Sequence, residues 1–311
     1  MVRMFSKSLT FLSRAGAVAV LAAGLTGCSL KTMAVNAVAN SLAAPSDVMT
    51  RDNDPELIKD AIPFGLKTYE SLLESVPKNQ GLLIATCSGY TSYAYGFVET
   101  PAELLQFTDQ SAARLGIERS LNMYLRAKDF CMRAMELRFP GIRKKLLLDP
   151  VAAVANTKKE DVELLYWTAA SWGSAMSLGK DQPDLVADFP VVRALAERAL
   201  ALNPNWSNGT IHELFITLDS QPEMLGGDPA RARKHFDEAI RIQKGQLPGP
   251  YVELAEGVSL SIPDRAEYEK LMKQAVALDP NAQPSVRLVS LIMQRRAKGM
   301  LEHLDDLFAA K

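Results

Sequence analysis

His212 and Glu213 begin the pattern by which metalloproteases hold zinc: two histidines four residues apart on one helix face, with a glutamate between them as general base. Ile216 stands where the second histidine is required, and the whole chain carries only three histidines. A helix histidine hydrogen-bonded in a packed core, or placed at a partner surface, accounts for His212 without a metal. Gly226-Gly227-Asp228-Pro229 lacks the Lys-Ser/Thr pair of a phosphate loop and reads as a turn followed by a helix cap. No Gly-x-Ser-x-Gly elbow and no Cys-His signature is present. These residues name no catalytic set, no metal and no cofactor, so the expectation is a protein that binds and is not an enzyme.

One thiol is placed for a reaction. Arg3, Lys7 and Arg14 precede or flank an apolar run over 15–25 that is too short to span a bilayer and has the layout of a secretory signal. The run ends in Leu25-Thr26-Gly27-Cys28, similar to a bacterial lipobox, in which small residues fit the signal peptidase and the cysteine takes a diacylglycerol before cleavage. Residues 1–27 are therefore expected to be a lipoprotein signal peptide, and Cys28 the lipid attachment and first mature residue. Ser29, where an aspartate would favour retention, points to the outer membrane and a periplasm-facing body. An exported compartment permits disulfides. Cys87 and Cys131, however, both fall on apolar helix faces, and the expectation is two buried free thiols.

The elements that must carry these residues are helical. The stretch from Arg193 to Trp206 has Val192, Leu195, Ala196, Ala199 and Leu202 on one helix face and stops at Asn203-Pro204. Its pattern recurs as Ala127/Cys131/Ala134, Val192/Ala196/Ala199, Ala232/Phe236/Ala239 and Tyr268/Met272/Ala275. Pro140, Pro204 and Pro280 follow three of these, and Gly245 follows the other. The spacing resembles the second helix of the tetratricopeptide repeat, whose hairpins stack into a solenoid. The final alanines are 65, 40 and 36 residues apart, against a standard period of about 34, so the repeats are degenerate. No alternating β-branched run with hairpin turns occurs. The fold class expected is all-α, an α-solenoid of stacked helical hairpins, with residues 28–53 a lipidated tether and 54–311 the helical domain.

With 311 residues and 48% hydrophobic content, the chain can bury one or two sizeable cores. Its 35 basic and 36 acidic residues balance, and no basic run marks a nucleic-acid partner. The helix predicted over 81–98 carries Tyr90, Tyr93, Tyr95 and Phe97, and that over 159–178 carries Tyr166, Trp167 and Trp172. Both are first helices of a pair, which in solenoids line the concave side. Rings with a polar tip suit a groove or an apolar ligand, and they serve equally as ordinary core.

The order of short motifs resembles a known family. After the lipobox come Asp52-Asn53-Asp54-Pro55-Glu56-Leu57-Ile58-Lys59-Asp60-Ala61-Ile62-Pro63-Phe64, then Leu82-Leu83-Ile84-Ala85 and Ile211-His212-Glu213. Gly226-Gly227-Asp228 with Ala232 and His235-Phe236 follows, and Asp305-Asp306-Leu307-Phe308 closes the chain. Together these look like the T-component lipoproteins of tripartite ATP-independent periplasmic (TRAP) transporters. The resemblance implies a lipid-held helical body that docks a periplasmic solute-binding protein, the P component, and guides an apolar small ligand to it. It supplies no catalytic residues. Under it, His212, Gly226 and Gly227 are partner-contact or loop-structural residues. Two other classes fit the same residues: a general cell-envelope scaffold binding proteins through its groove, and an envelope enzyme on a helical fold. A small cyclic homo-oligomer is compatible with stacked repeats.

Overall fold

The structure, a computed structural model, describes residues 30–309. The signal run and Cys28 lie outside the described residues. Within them the chain is all-helical, with no strand. A first helix, α1, covers residues 30–43, and α2 spans Pro55–Ser75. Asp54 starts α2 by accepting from the backbone N–H groups of Glu56 (3.1 Å) and Leu57 (3.0 Å), while Pro55 occupies a position whose N–H has no helical partner anyway. The segment read as a tether thus folds back. Asn79 Nδ2 donates to Asn36 Oδ1 (3.1 Å) and Asn40 Oδ1 (2.8 Å), and Ala39 is fully buried.

The helix predicted over 81–98 is three elements: α3 (Gln80–Ala94), a π-helical turn (Tyr95–Glu99) and α4 (Thr100–Leu105). The second helix of this pair, α5, spans Gln110–Arg138. Asp109 caps it by accepting from Ala112 N–H at 3.0 Å. Gly116, which reads as a breaker, sits inside α5 because a Cβ there would come within 2.5 Å of Ala102 Cβ; the glycine lets α4 and α5 touch. The connector that follows holds two short helices, α6 (Ile142–Leu148) and α7 (Pro150–Val154).

Next come α8 (Val162–Leu178), the single turn α9 (Pro183–Val186) and α10 (Phe189–Leu202), then α11 (Thr210–Asp219) and α12 (Pro229–Gln243). They are followed by α13 (Gly249–Leu254) running into a second π-helical turn (Ala255–Ser259), then α14 (Arg265–Ala277), α15 (Arg287–Glu302) and α16 (Leu304–Leu307). The main helix pairs are α3/α5, α8/α10, α11/α12 and α13/α14, with α15 packed on α14. The repeated small-residue positions are where the pairs meet: Ala127, Cys131, Ala134, Val192, Ala196, Ala199, Ala232, Ala239, Met272 and Ala275 are all fully buried. Small side chains at these positions let helix axes approach closely.

Successive long helices alternate in direction, so their ends form two rims. The lower rim holds the start of α3, the end of α5, α6–α7 and the start of α8. The upper rim holds the end of α8, the loop after α11 and the end of the second π turn. The stack closes on itself. Arg295 Nη1 bonds Glu56 Oε1 of α2 (2.7 Å), Arg296 Nη1 donates to Thr100 Oγ1 of α4 (3.2 Å), and Ile292 packs against Gly96.

The expectation of free thiols is overturned. Cys87 and Cys131 are joined in a disulfide, with their Cα atoms 5.5 Å apart. Cys87 lies seven residues into α3 and Cys131 seven residues before the end of α5, so antiparallel packing brings them level. That register is a property of the helix pair, which the apolar periodicity of either helix alone does not contain.

Candidate functional site

The first helices of the pairs, α3, α8, α11 and α13, together with α15, surround a cavity of about 1910 Å³. It runs the length of these helices. Residues at the lower rim, including Leu42, Ser46, Trp206 and Pro248, line one end; Lys180, Gln221, Leu225, Gly226, Gly227 and Ile262 line the other. Both π-helical turns face it, contributing Tyr95, Phe97 and Glu99 from one and Glu256 and Gly257 from the other. A π turn adds a residue to the helix and rotates the following side chains, a device concentrated at functional positions.

The wall is aromatic and acidic together. Tyr95, Phe97 and Trp167 line the cavity, as does Tyr166, whose ring lies 5.0 Å from that of Trp167 and 4.8 Å from that of Trp206. Tyr90, Tyr93 and Trp172, expected as lining residues, are a correction: none lines the cavity, and all three are buried between helices. The Tyr90 hydroxyl donates to Glu70 Oε1 (2.6 Å) and its ring stacks on Phe130. Tyr93 packs on Phe97, and Lys128 Nζ sits 3.8 Å over the Trp172 ring. Along α3, the 3.6-residue turn takes Tyr90 and Tyr95 to different faces.

Six glutamates reach the cavity from the inner helices: Glu99, Glu103, Glu163, Glu213, Glu253 and Glu256. Arg296 answers two of them. Its Nε lies 2.8 Å from Glu256 Oε1, its Nη2 lies 2.9 Å from Glu256 Oε2, and Nη1 pairs with Glu103. Neutral donors serve three others. Thr217 Oγ1 donates to Glu253 Oε2 (2.7 Å), Gln243 Nε2 donates to Glu213 Oε1 (2.6 Å), and the Tyr124 hydroxyl donates to Glu99. Burial raises the pKa of all three, and pushes Glu213 up to about 8, because removing a carboxylate from water disfavours its charged form. Glu256 is also raised by burial, opposed by Arg296. This acidic set was missed in the sequence. Glu253 and Glu256 three apart on an otherwise apolar stretch are the signal that could have found it.

His212 is buried, with its Nδ1 2.9 Å from Nδ1 of His235, one nitrogen donating and the other accepting. Burial and the neighbouring imidazole push His212 down to about 4, so it is neutral at pH 7. Beside this pair, fully buried Asp219 accepts from Arg193 Nη2 (2.8 Å) and Arg231 Nη2 (3.0 Å). The same two guanidiniums donate to the carbonyl of Gly226. Gly226 has φ +77°, and a Cβ on Gly227 would lie 1.6 Å from the Gln221 carbonyl oxygen, so the glycines are what the tight turn over 220–228 requires. Both also line the upper end of the cavity. Among the described residues, no group of three or more His, Cys, Asp and Glu could hold a metal ion, and no helix is long and apolar enough to cross a membrane.

The sequence pattern of the TRAP transporter T-component family matches residues 51–308, nearly the whole helical body. The chain belongs to the TRAP transporter T-component family. It is accordingly an accessory component of TRAP transport. It is also similar to a protein of Treponema pallidum (strain Nichols) described only as uncharacterized, 26% identical over 304 residues, covering 91% of this chain and 93% of the relative. In this T-component Trp167 and Tyr95 both line the central cavity.

Proposed function

We propose that this T-component is held at the periplasmic face of the outer membrane by lipid on Cys28, docks a periplasmic solute-binding protein, and passes an apolar small ligand along its central cavity. The observation that carries this reading is the cavity itself: about 1910 Å³, reaching from rim to rim and walled by Tyr95, Phe97, Tyr166, Trp167 and Trp206. Cavities that hold small molecules are typically apolar with a few placed polar groups, and their volumes run to about 1,000 Å³. This one is larger, as suits passage. The upper mouth, framed by the clamped Gly226–Gly227 turn, would receive the binding protein.

The test is capture from an envelope extract of the source organism using the lipoprotein as bait, with mass spectrometry of what binds. Recovery of a TRAP-type solute-binding protein is expected; recovery of unrelated envelope-assembly proteins without one would favour the general scaffold. Ligand passage is tested separately. An environment-sensitive apolar dye should brighten in the cavity, and Ala170→Trp, which places an indole on the cavity wall, should abolish the signal. Unchanged dye binding in that variant would remove the cavity from the reading.

A further inference from the structure

The α6–α7 connector presents an apolar surface that nothing in the fold covers. Leu147, Leu148 and Val151 are 67%, 75% and 65% exposed. The other side of the same short helices is anchored: Ile142, Leu146 and Val154 are all 2% exposed or less. Arg198 of α10 fixes the end of the segment by donating through Nε to Thr157 Oγ1 at 3.0 Å. The three exposed side chains are therefore held out rigidly. Basic residues border them, with exposed Lys144 and Lys145 before and exposed Lys158 and Lys159 after, against Asp149 and Glu160, while Arg143 pairs with Asp129 at 3.3 Å.

The location gives the knob its meaning. It lies at the lower rim, where α5 ends and α8 begins. Helix α1 packs at this same rim beside the start of α3, with Leu30 and Met33 exposed by 65% and 64%. In the sequence Cys28 lies two residues before this helix. Two separate exposed apolar features, one of them bordered by lysines, thus share one edge of the ring. A protein partner would be met by a groove or a single patch, whereas a bilayer meets a rim at several points.

We propose that the α6–α7 knob is a second membrane contact: Leu147, Leu148 and Val151 enter the headgroup and upper acyl region of an anionic bilayer while the flanking lysines engage lipid phosphates. It rests on the reading of Cys28 as a lipid anchor. A lipid anchor at one residue allows the body to swivel; a second contact on the same rim fixes the cavity's lower mouth against the membrane and turns the Gly226–Gly227 mouth away from it.

The experiment uses the full lipoprotein, purified from cells and reconstituted into phosphatidylethanolamine–phosphatidylglycerol vesicles. Leu148→Cys and, as reference, Met224→Cys on the upper-rim turn (Met224 is 90% exposed) are each labelled with a fluorophore. Cys87 and Cys131 are tied in their disulfide and do not compete. Nitroxide-bearing lipids should quench the label at 148 at least threefold more than that at 224. Replacing phosphatidylglycerol by phosphatidylcholine, or combining Lys144→Glu with Lys145→Glu, should cut that quenching at least twofold. Quenching at 148 no greater than at 224 would overturn the proposal, and so would quenching indifferent to lipid charge. A label at 148 that is shielded but unquenched would assign the knob to a second copy of the chain and overturn it equally. Failure of the anchor reading looks different: mass spectrometry would find no acyl group on Cys28.

Discussion

Glu213 is the most informative single position in the cavity wall. Its Oε1 accepts from Gln243 Nε2 at 2.6 Å, and its Oε2 lies so close to Gly249 that a Cβ there would approach within 2.2 Å. No cation pairs with it, and burial pushes it up to about 8 from 4.5. Below pH 4.5 the carboxyl is protonated in the folded and unfolded chain alike. Between pH 4.5 and 8 the unfolded chain releases the proton while the folded one keeps it, so the folded state loses stability as pH rises, and the loss levels off above 8. At about 1.4 kcal/mol per pH unit the ceiling is roughly 5 kcal/mol. Glu213 is only half-buried at the cavity wall, and an effective dielectric well above that of dry protein brings the expectation nearer 2 kcal/mol. Glu213→Gln copies the protonated acid, retains an oxygen to accept from Gln243, and does not titrate. Urea unfolding of both proteins from pH 4.5 to 9 should give matching stabilities at the acid end. The variant should then gain progressively, reaching about 2 kcal/mol at pH 8–9. Parallel stability profiles across that range would refute the claim that Glu213 is buried without a counter-charge.

Replacing both cysteines, Cys87→Ala with Cys131→Ala, opens a loop of 44 residues and should cost about 4 kcal/mol at most on loop entropy, read as a lowered unfolding midpoint that reductant no longer shifts further. Asp219→Ala leaves the Arg193 and Arg231 guanidiniums without their shared carboxylate, and breaking such a buried pair costs about 3 kcal/mol. Limited proteolysis should then cut within 220–228 while the wild type stays intact. Gly226→Ala should cost about 1 kcal/mol for the left-handed backbone, whereas Gly227→Ala must displace the Gln221 peptide and should cost clearly more, an order that thermal unfolding checks.

The helical class, the caps at Asp54, Asp228 and Asp264, and the recurrent small positions at Ala134, Ala199, Ala239 and Ala275 are all legible in the residues, because each depends on neighbours within a turn or two. The family is legible for a similar reason, since its motifs keep their order along the chain. What the sequence could not decide depends on register between helices distant in the chain. Cys87 meets Cys131 only when α3 and α5 slide to one level, and Arg296 finds Glu256 and Glu103 only when α15 returns to the start of the ring. The π turns at Tyr95–Glu99 and Ala255–Ser259 likewise form where inner helices bend around a cavity, and they decide which aromatics face it. Tyr95 and Trp167 are five residues from Tyr90 and Trp172 on their helices and so lie on different faces; which face meets the cavity is decided by where the neighbouring helices pack. The local rules made the helices; closure of the stack made the cavity, because an inner face has an inside only once the last helix meets the first.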